Sequence, residues 1–350
     1  MKTAAGRVRC LFAGSVIVAA GAALTACGGG AEDAAPETPK AAAESAATLK
    51  APARHAMAYQ RAGITAIVAS TDGKSVAVAH SDGRVSLLDA SSHSEIRQLT
   101  GAGSSVAAGL VFSSDGHSLV SVDRDSRARV WNVDTGALRL TLSGHEHPLR
   151  SIGASADGSI IATAGEETRV MVWDGGTGRL KRILTGPTDF VNAVSVSADG
   201  HWIASGDASS HVLVWNAATG KLLNQLSGHT NEVDAVAFSP DGHVLASAGE
   251  DGKVMLWDVA GGQVSSVLQS AGAPMRSLAF SSDGQLLAAG GADGRVKVWD
   301  MTARKQLPDT SNAGTAVNAL TFGFSDKNEL LFGDGHSSVL SMSVSHQSAR

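Results

Sequence analysis

The chain runs to 350 residues with 40 glycines, 43% hydrophobic and only 4% aromatic content, a balance that suits many short strands and tight turns and excludes a body of long helices. Its formal charge of −5 excludes the concentrated basic surface that nucleic-acid binding needs. Both cysteines lie in the first 27 residues, so no disulfide framework braces the remainder.

At the N-terminus, Lys2, Arg7 and Arg9 head an apolar run from Cys10 to Leu24. The run is short for a membrane-spanning helix and predicts a secretory signal. It ends in Leu24-Thr25-Ala26-Cys27, which resembles the lipobox of bacterial lipoproteins. That resemblance implies a signal at 1–26, cleavage before Cys27, and acyl chains on the Cys27 sulfur and the new amino group. Two or more chains anchor stably where one does not. Gly28, in place of an Asp, implies by the same resemblance the periplasmic side of the outer membrane in a bacterial cell envelope. Loss of the signal's three cations moves the formal charge from −5 to −8. Residues 27–54 are Ala, Gly, Pro, Glu and Lys with little apolar surface, and predict a flexible tether. Contact with the membrane would then run through the lipid alone.

Residues 55–350 repeat one unit. Trp131, Trp173, Trp215, Trp257 and Trp299 follow one another at intervals of 42 residues. A period in the forties marks a copied supersecondary unit. A turn of the Ser-x-Asp-Gly kind travels with it, placing Asp at 72, 115, 157, 199, 241 and 283, with Asp326 as a degenerate seventh. In the fifth copy, four strands are expected at 233–239, 244–248, 253–258 and 263–268. The first three are near-continuously apolar and the last alternates, as a solvent-facing strand should. The same layout starts near 64, 107, 149, 191, 275 and 317, giving seven copies. The first and last carry Leu88 and Leu340 in place of Trp.

Turn, Trp and spacing together resemble the WD-repeat (Trp-Asp repeat) family of β-propellers. The resemblance implies an all-β fold: a seven-bladed propeller of four-stranded antiparallel blades, with few exposed sheet edges and monomeric. Too few residues follow Leu340 for a fourth strand, so an N-terminal strand near Ala53–Ala58 is expected to close the seventh blade. The family's hydrogen-bonded tetrad is implied in full for His229, Ser247, Asp251 and Trp257, and in softened form for His145, Thr163, Glu167 and Trp173. The fourth copy has Pro187 and Ser209 at the His and Asp positions. The second and sixth keep Asp125 and Asp293 without a His.

Chemistry is sparse by comparison. The Ser, His and Asp of a tetrad are explained by their periodic placement, and a catalytic triad would need an exposed nucleophile beside an oxyanion hole. Gly144-His145-Glu146-His147 lacks the further ligands of a metal site. Gly290-Gly291-Ala292-Asp293-Gly294 lies between strands and reads as a turn, not a phosphate cradle. Trp202 falls outside the period and is expected to pack. No catalytic residue, metal or cofactor is predicted.

Recognition is expected on one face. One residue past the start of each inner strand come Thr65, Ala108, Arg150, Asn192, Asp234, Arg276 and Asn318, all polar but one, at the expected channel mouth. The loops joining second to third strands are expected to add Asp123, Glu166, Asp207 and Glu250 around them, with Phe190 and Met275 as apolar contacts. A mildly acidic surface of this kind suits a basic loop or peptide of a protein partner; a solvated rim serving solubility is the plain alternative. The expected function is a non-catalytic interaction scaffold held at the envelope by lipid. The alternative is a sensor binding a small ligand or ion in the channel.

Overall fold

The computed structural model describes residues 47–49, 53–55, 62–99, 105–269, 272–308, 311–323, 329–333 and 338–346. The signal, Cys27 and Asp326 lie outside them. All regular structure among the described residues is strand, arranged in seven antiparallel sheets. The first blade comprises Ile64–Ala69, Ser75–His80, Val85–Asp89 and Glu95–Leu99, from the innermost strand outward. Blades 2 to 6 follow at 107–143, 149–185, 191–226, 233–269 and 275–312. Each inner strand packs on the next, and that of the seventh blade (Ala319–Phe322) packs on that of the first, so the ring is closed.

The strands form because each blade is sandwiched between two others. Val233–Phe238 and Lys253–Asp258 are buried along nearly their whole length, while Leu138–Ser143 is exposed except at Leu142. Both faces of an inner strand therefore need apolar side chains, and only the outer strand can be polar. The core is shared between neighbours: Trp299 of blade 6 packs with Ala237 and Leu256 of blade 5. Leu88, standing where other copies have Trp, belongs to the cluster that joins blade 1 to Leu331 and Val339 of blade 7.

The repeated turn is self-sufficient. Ser155 Oγ donates to Asp157 Oδ1 at 2.6 Å and accepts from the Ile160 amide at 3.1 Å, while the Ser159 amide donates to Asp157 at 3.0 Å. Gly158 sits at φ +68°, where a side chain would be strained.

The seventh blade borrows its edge as expected. Ala53, Arg54 and His55 pair with Ser341, Leu340 and Val339, and Ala47–Leu49 pairs further along the same strand, with His346 to Val344. Residues 56–58 of the expected closing segment lie outside the described residues. Two details differ from the sequence reading. The inner strand of the seventh blade begins at Ala319, not 317. The outer strand of blade 6 is split into Lys305–Gln306 and Ser311–Asn312, with Pro308, which has no amide to donate, between the pieces.

Candidate functional site at the channel mouth

In blades 1 to 6 the strand register slips at the second residue of the inner strand. The slips lie between Ile64 and Ala66, Ala107 and Gly109, Leu149 and Ser151, Val191 and Ala193, Val233 and Ala235, and Met275 and Ser277. The skipped residues are Thr65, Ala108, Arg150, Asn192, Asp234 and Arg276. A bulge leaves its extra residue outside the ladder and re-aims the side chain. All six, with Asn318 from blade 7, line one cavity of about 200 Å³ on the ring axis. The ring read from sequence is therefore real, and a bulge in each of the first six inner strands builds it.

The charges in this ring are largely spent on one another. Arg150 donates through Nη2 to Glu166 at 3.1 Å and through Nη1 to Asn192 Oδ1 at 2.8 Å, and its guanidinium lies 5.9 Å from the Phe190 ring centroid. Asn192 Nδ2 passes the chain on to Glu232 at 3.2 Å. Arg276 reaches Glu250 at 3.6 Å. Asp234 is half-buried between these groups. Burial, then the negative charges of Glu250 and Glu232, push its carboxyl up to about 7, with Arg276 pulling the other way. At neutral pH it thus sits between its two protonation states.

Three expected contacts fail. Asp123 is 1% exposed and Asp207 0%, so neither can face a partner. They end the second strand, at the position other copies give to Gly165, Gly249 and Gly291, one residue short of the rim position held by Glu166 and Glu250. The true equivalents of those glutamates are Arg124 and Ala208. Asp207 instead accepts the Ser209 and His211 amides at 3.0 and 2.9 Å. Met275 is fully buried in the core between blades 5 and 6. Phe190, by contrast, is 44% exposed, and Glu232 holds the equivalent position in blade 5. The mouth is therefore a mixed rim with acid concentrated at blade 5, not an acidic ring.

The blades behind the mouth are fastened by the tetrads. His229 donates through Nδ1 to Asp251 at 3.0 Å, and its Nε2 meets Ser247 Oγ at 2.8 Å, which also accepts from Trp257 Nε1 at 2.8 Å. Burial holds His229 below its ordinary pKa; Asp251 is held below its own, burial notwithstanding, by the Thr230 amide and His229. In blade 3, His145 Nδ1 contacts Glu167, and Thr163 Oγ1 meets both His145 Nε2 and Trp173 Nε1 at 2.7 Å. Burial, helped by the Arg169 charge, pushes His145 down to about 4. Ser247 and His229 are enclosed within the blade. A nucleophile must reach its substrate, and this serine cannot.

Sequence reasoning missed the substitute used where His is lacking. In blade 2, Arg129 is 5% exposed and grips both Asp123 and Asp125, while Trp131 Nε1 donates to Ser121 at 3.1 Å. Burial pushes Asp123 up to about 6 even with this guanidinium against it. Blade 6 places Lys297 at the same position, 3% exposed and with its pKa lowered by burial. Blades 3 and 5, which have the His, place Met171 and Met255 there. A cation two residues before the repeated Trp, at a position otherwise apolar, was the available signal. Trp202 packs on the shared core of blades 4 and 5, as expected.

No curated protein matches the chain. It does match the WD40 family, described as WD domain, G-beta repeat, at residues 93–132, 136–174, 178–216, 220–258 and 262–300. Each match opens near an outer strand and ends at the third strand of the next blade, so the sequence unit straddles two blades. Propellers of this family commonly mediate protein interaction and are generally non-catalytic. With more than half its length matched and the ring closed in seven blades, the chain belongs to the WD40 repeat family.

Proposed function

We propose that the protein is a non-catalytic scaffold of the bacterial cell envelope, anchored by lipid on Cys27, that docks a partner protein on the channel-mouth face. The observation that carries the docking is the bulge-built ring beside an exposed Phe190 and three carboxylates, Glu232, Asp234 and Glu250, served by one cation, Arg276. An apolar anchor next to an acid-rich corner suits a partner loop with an aromatic or aliphatic tip and a basic neighbour. Rim charge acts mostly on association rate and salt dependence, so such binding weakens as salt rises.

A small ligand or ion in the channel is the second reading, favoured by the half-buried Asp234 at the axis. The cavity volume of about 200 Å³ lies below the ~300–1,000 Å³ of ordinary ligand pockets. Arg150 and Arg276 are also committed to Glu166 and Glu250. Protein docking is therefore preferred.

Affinity capture of the full chain from native membranes tests both parts. Glu166→Lys with Glu232→Lys and Glu250→Lys should release the partner while leaving the protein folded. Cys27→Ala should release the protein from the membrane fraction. Retention of every partner by the triple variant would end the docking proposal; membrane retention of Cys27→Ala would end the anchoring one.

A further inference from the structure

We infer that the groove between blades 5 and 6, at the strand ends opposite the channel mouth, binds a small zwitterion with apolar side chains, of the size of a hydrophobic amino acid or dipeptide. The period marks this junction as different from those before it. In blades 2 to 5 the turn between third and fourth strands holds a left-handed glycine, and a side chain from the preceding blade's outer strand lies directly over it. A Cβ on Gly136 would stand 2.7 Å from Arg97, on Gly178 2.5 Å from Leu140, on Gly220 3.3 Å from Arg182, and on Gly262 2.4 Å from Asn224. The next members of the two series are Ser266 and Arg304. Here the covering side chain has shrunk to serine. The glycine has become an arginine at φ 52°, a conformation that L side chains rarely adopt. Arg304 reaches back to the Ser265 carbonyl at 3.1 Å and does not fill the space.

Beside Arg304 lies a cavity of about 510 Å³, within the ordinary range for ligand pockets and larger than the channel mouth. Half-buried Val244 and Met301 give it an apolar wall, backed by the core residues Leu256 and Phe280, and Asp241, Asp283 and Arg304 supply its charges. The two carboxylates are fixed by their own turns: Ser281 Oγ donates to Asp283 at 2.6 Å, and the His243 and Gln285 amides donate to Asp241 and Asp283 at 3.0 Å. An anion alone would face two carboxylates, and a cation alone would face Arg304. An uncharged apolar molecule would offer none of the three charges a counterpart. A zwitterion answers each of them, with its ammonium toward Asp241 and Asp283, its carboxylate toward Arg304, and its side chain on the apolar wall.

Calorimetric titration of the full chain with the dipeptide Leu-Leu should give saturable binding. N-acetyl-Leu-Leu-amide, with the same side chains and neither charge, should bind at least about tenfold more weakly. The double variant Ser266→Leu with Arg304→Gly rebuilds the filled junction of the other blades and should abolish binding. In ¹³C-methyl spectra of the unaltered protein, Leu-Leu should shift the Met301 signal and leave that of buried Met171 in place. This readout needs no variant to fold. Absence of saturable binding, equal binding of the capped dipeptide, an unmoved Met301 signal, or undiminished binding by a folded double variant would each overturn the inference.

Discussion

Blades 4 and 5 share the lengths of their two inner strands, turn serines and a fully buried tryptophan, but their polar interiors differ. In blade 5, His229 ties Ser247 to Asp251, and Trp257 donates to that serine. In blade 4, Pro187 stands at the His position and Ser209 at the Asp position. Ser205 Oγ and Trp215 Nε1 are then buried without a hydrogen-bond partner among the described residues. Trp215 is nevertheless as deeply buried as Trp257. Apolar volume between blades therefore puts the tryptophan in place, and the tetrad adds stability afterwards. Blade 2 is a third solution, with Arg129 doing the work of the histidine.

The comparison can be broken most sharply at blade 2. Arg129→Met leaves Asp123 and Asp125 without their cation and should cost about 4 kcal/mol in urea unfolding. Lys297→Met, at the same position in blade 6, should fall within about 1 kcal/mol of neutral, because Lys297 makes no ion pair among the described residues. Next in size, His229→Ala should cost about 2–3 kcal/mol by removing one hydrogen bond each from buried Ser247 and the Asp251 carboxylate and leaving a cavity, whereas Pro187→Ala should cost at most about 1 kcal/mol. If the two variants cost the same, the tetrad adds nothing that packing does not.

The converse experiment is a gain. Pro187→His with Ser209→Asp writes the blade 5 constellation into blade 4, where Gly186, Ser205 and Trp215 already stand. It should stabilise the protein by about 1 kcal/mol, measured by the same unfolding curves. A separate effect is on pH. His145 is held at about 4 in the folded ring against 6.5 ordinarily, so the unfolded chain takes up its proton first. Its contribution to stability is whole above pH 6.5 and is lost as the pH falls toward 4. Thermal unfolding from pH 7 to 4 should show this loss, and His145→Asn should flatten the curve.

Much of this was written in the residues themselves. Strands sandwiched between blades need apolar faces on both sides, so Val233–Phe238 and Lys253–Asp258 were legible to within a residue. The tetrads were legible only through the resemblance to the WD-repeat family, whose motif His229, Ser247, Asp251 and Trp257 match residue for residue. The mouth was half legible. Its seven ring positions follow from the period, but the bulges that turn them inward depend on strand register, which no local composition encodes. The same register explains the misplaced Asp123 and Asp207. One residue separates the rim from the blade interior, and Glu166 and Glu250 share their acidity but not their position. The groove beside Arg304 was hidden because its lining comes from turns of two blades, around Asp241 and around Asp283 and Arg304, that become neighbours only in the assembled ring.

The strand Val339–His346 has a bearing on how this molecule comes into being. Its outer edge is covered by Ala47–Leu49 and Ala53–His55, among the earliest described residues of the chain, while the strand itself is among the last to be synthesised. Every intervening blade must exist before that pairing can form, and contacts so distant in sequence make for slow folding. Until then two unmatched β-edges wait at opposite ends of an open arc, each a template for wrong partners. The period of greatest hazard for this protein therefore lasts until Val339–His346 has been made and paired.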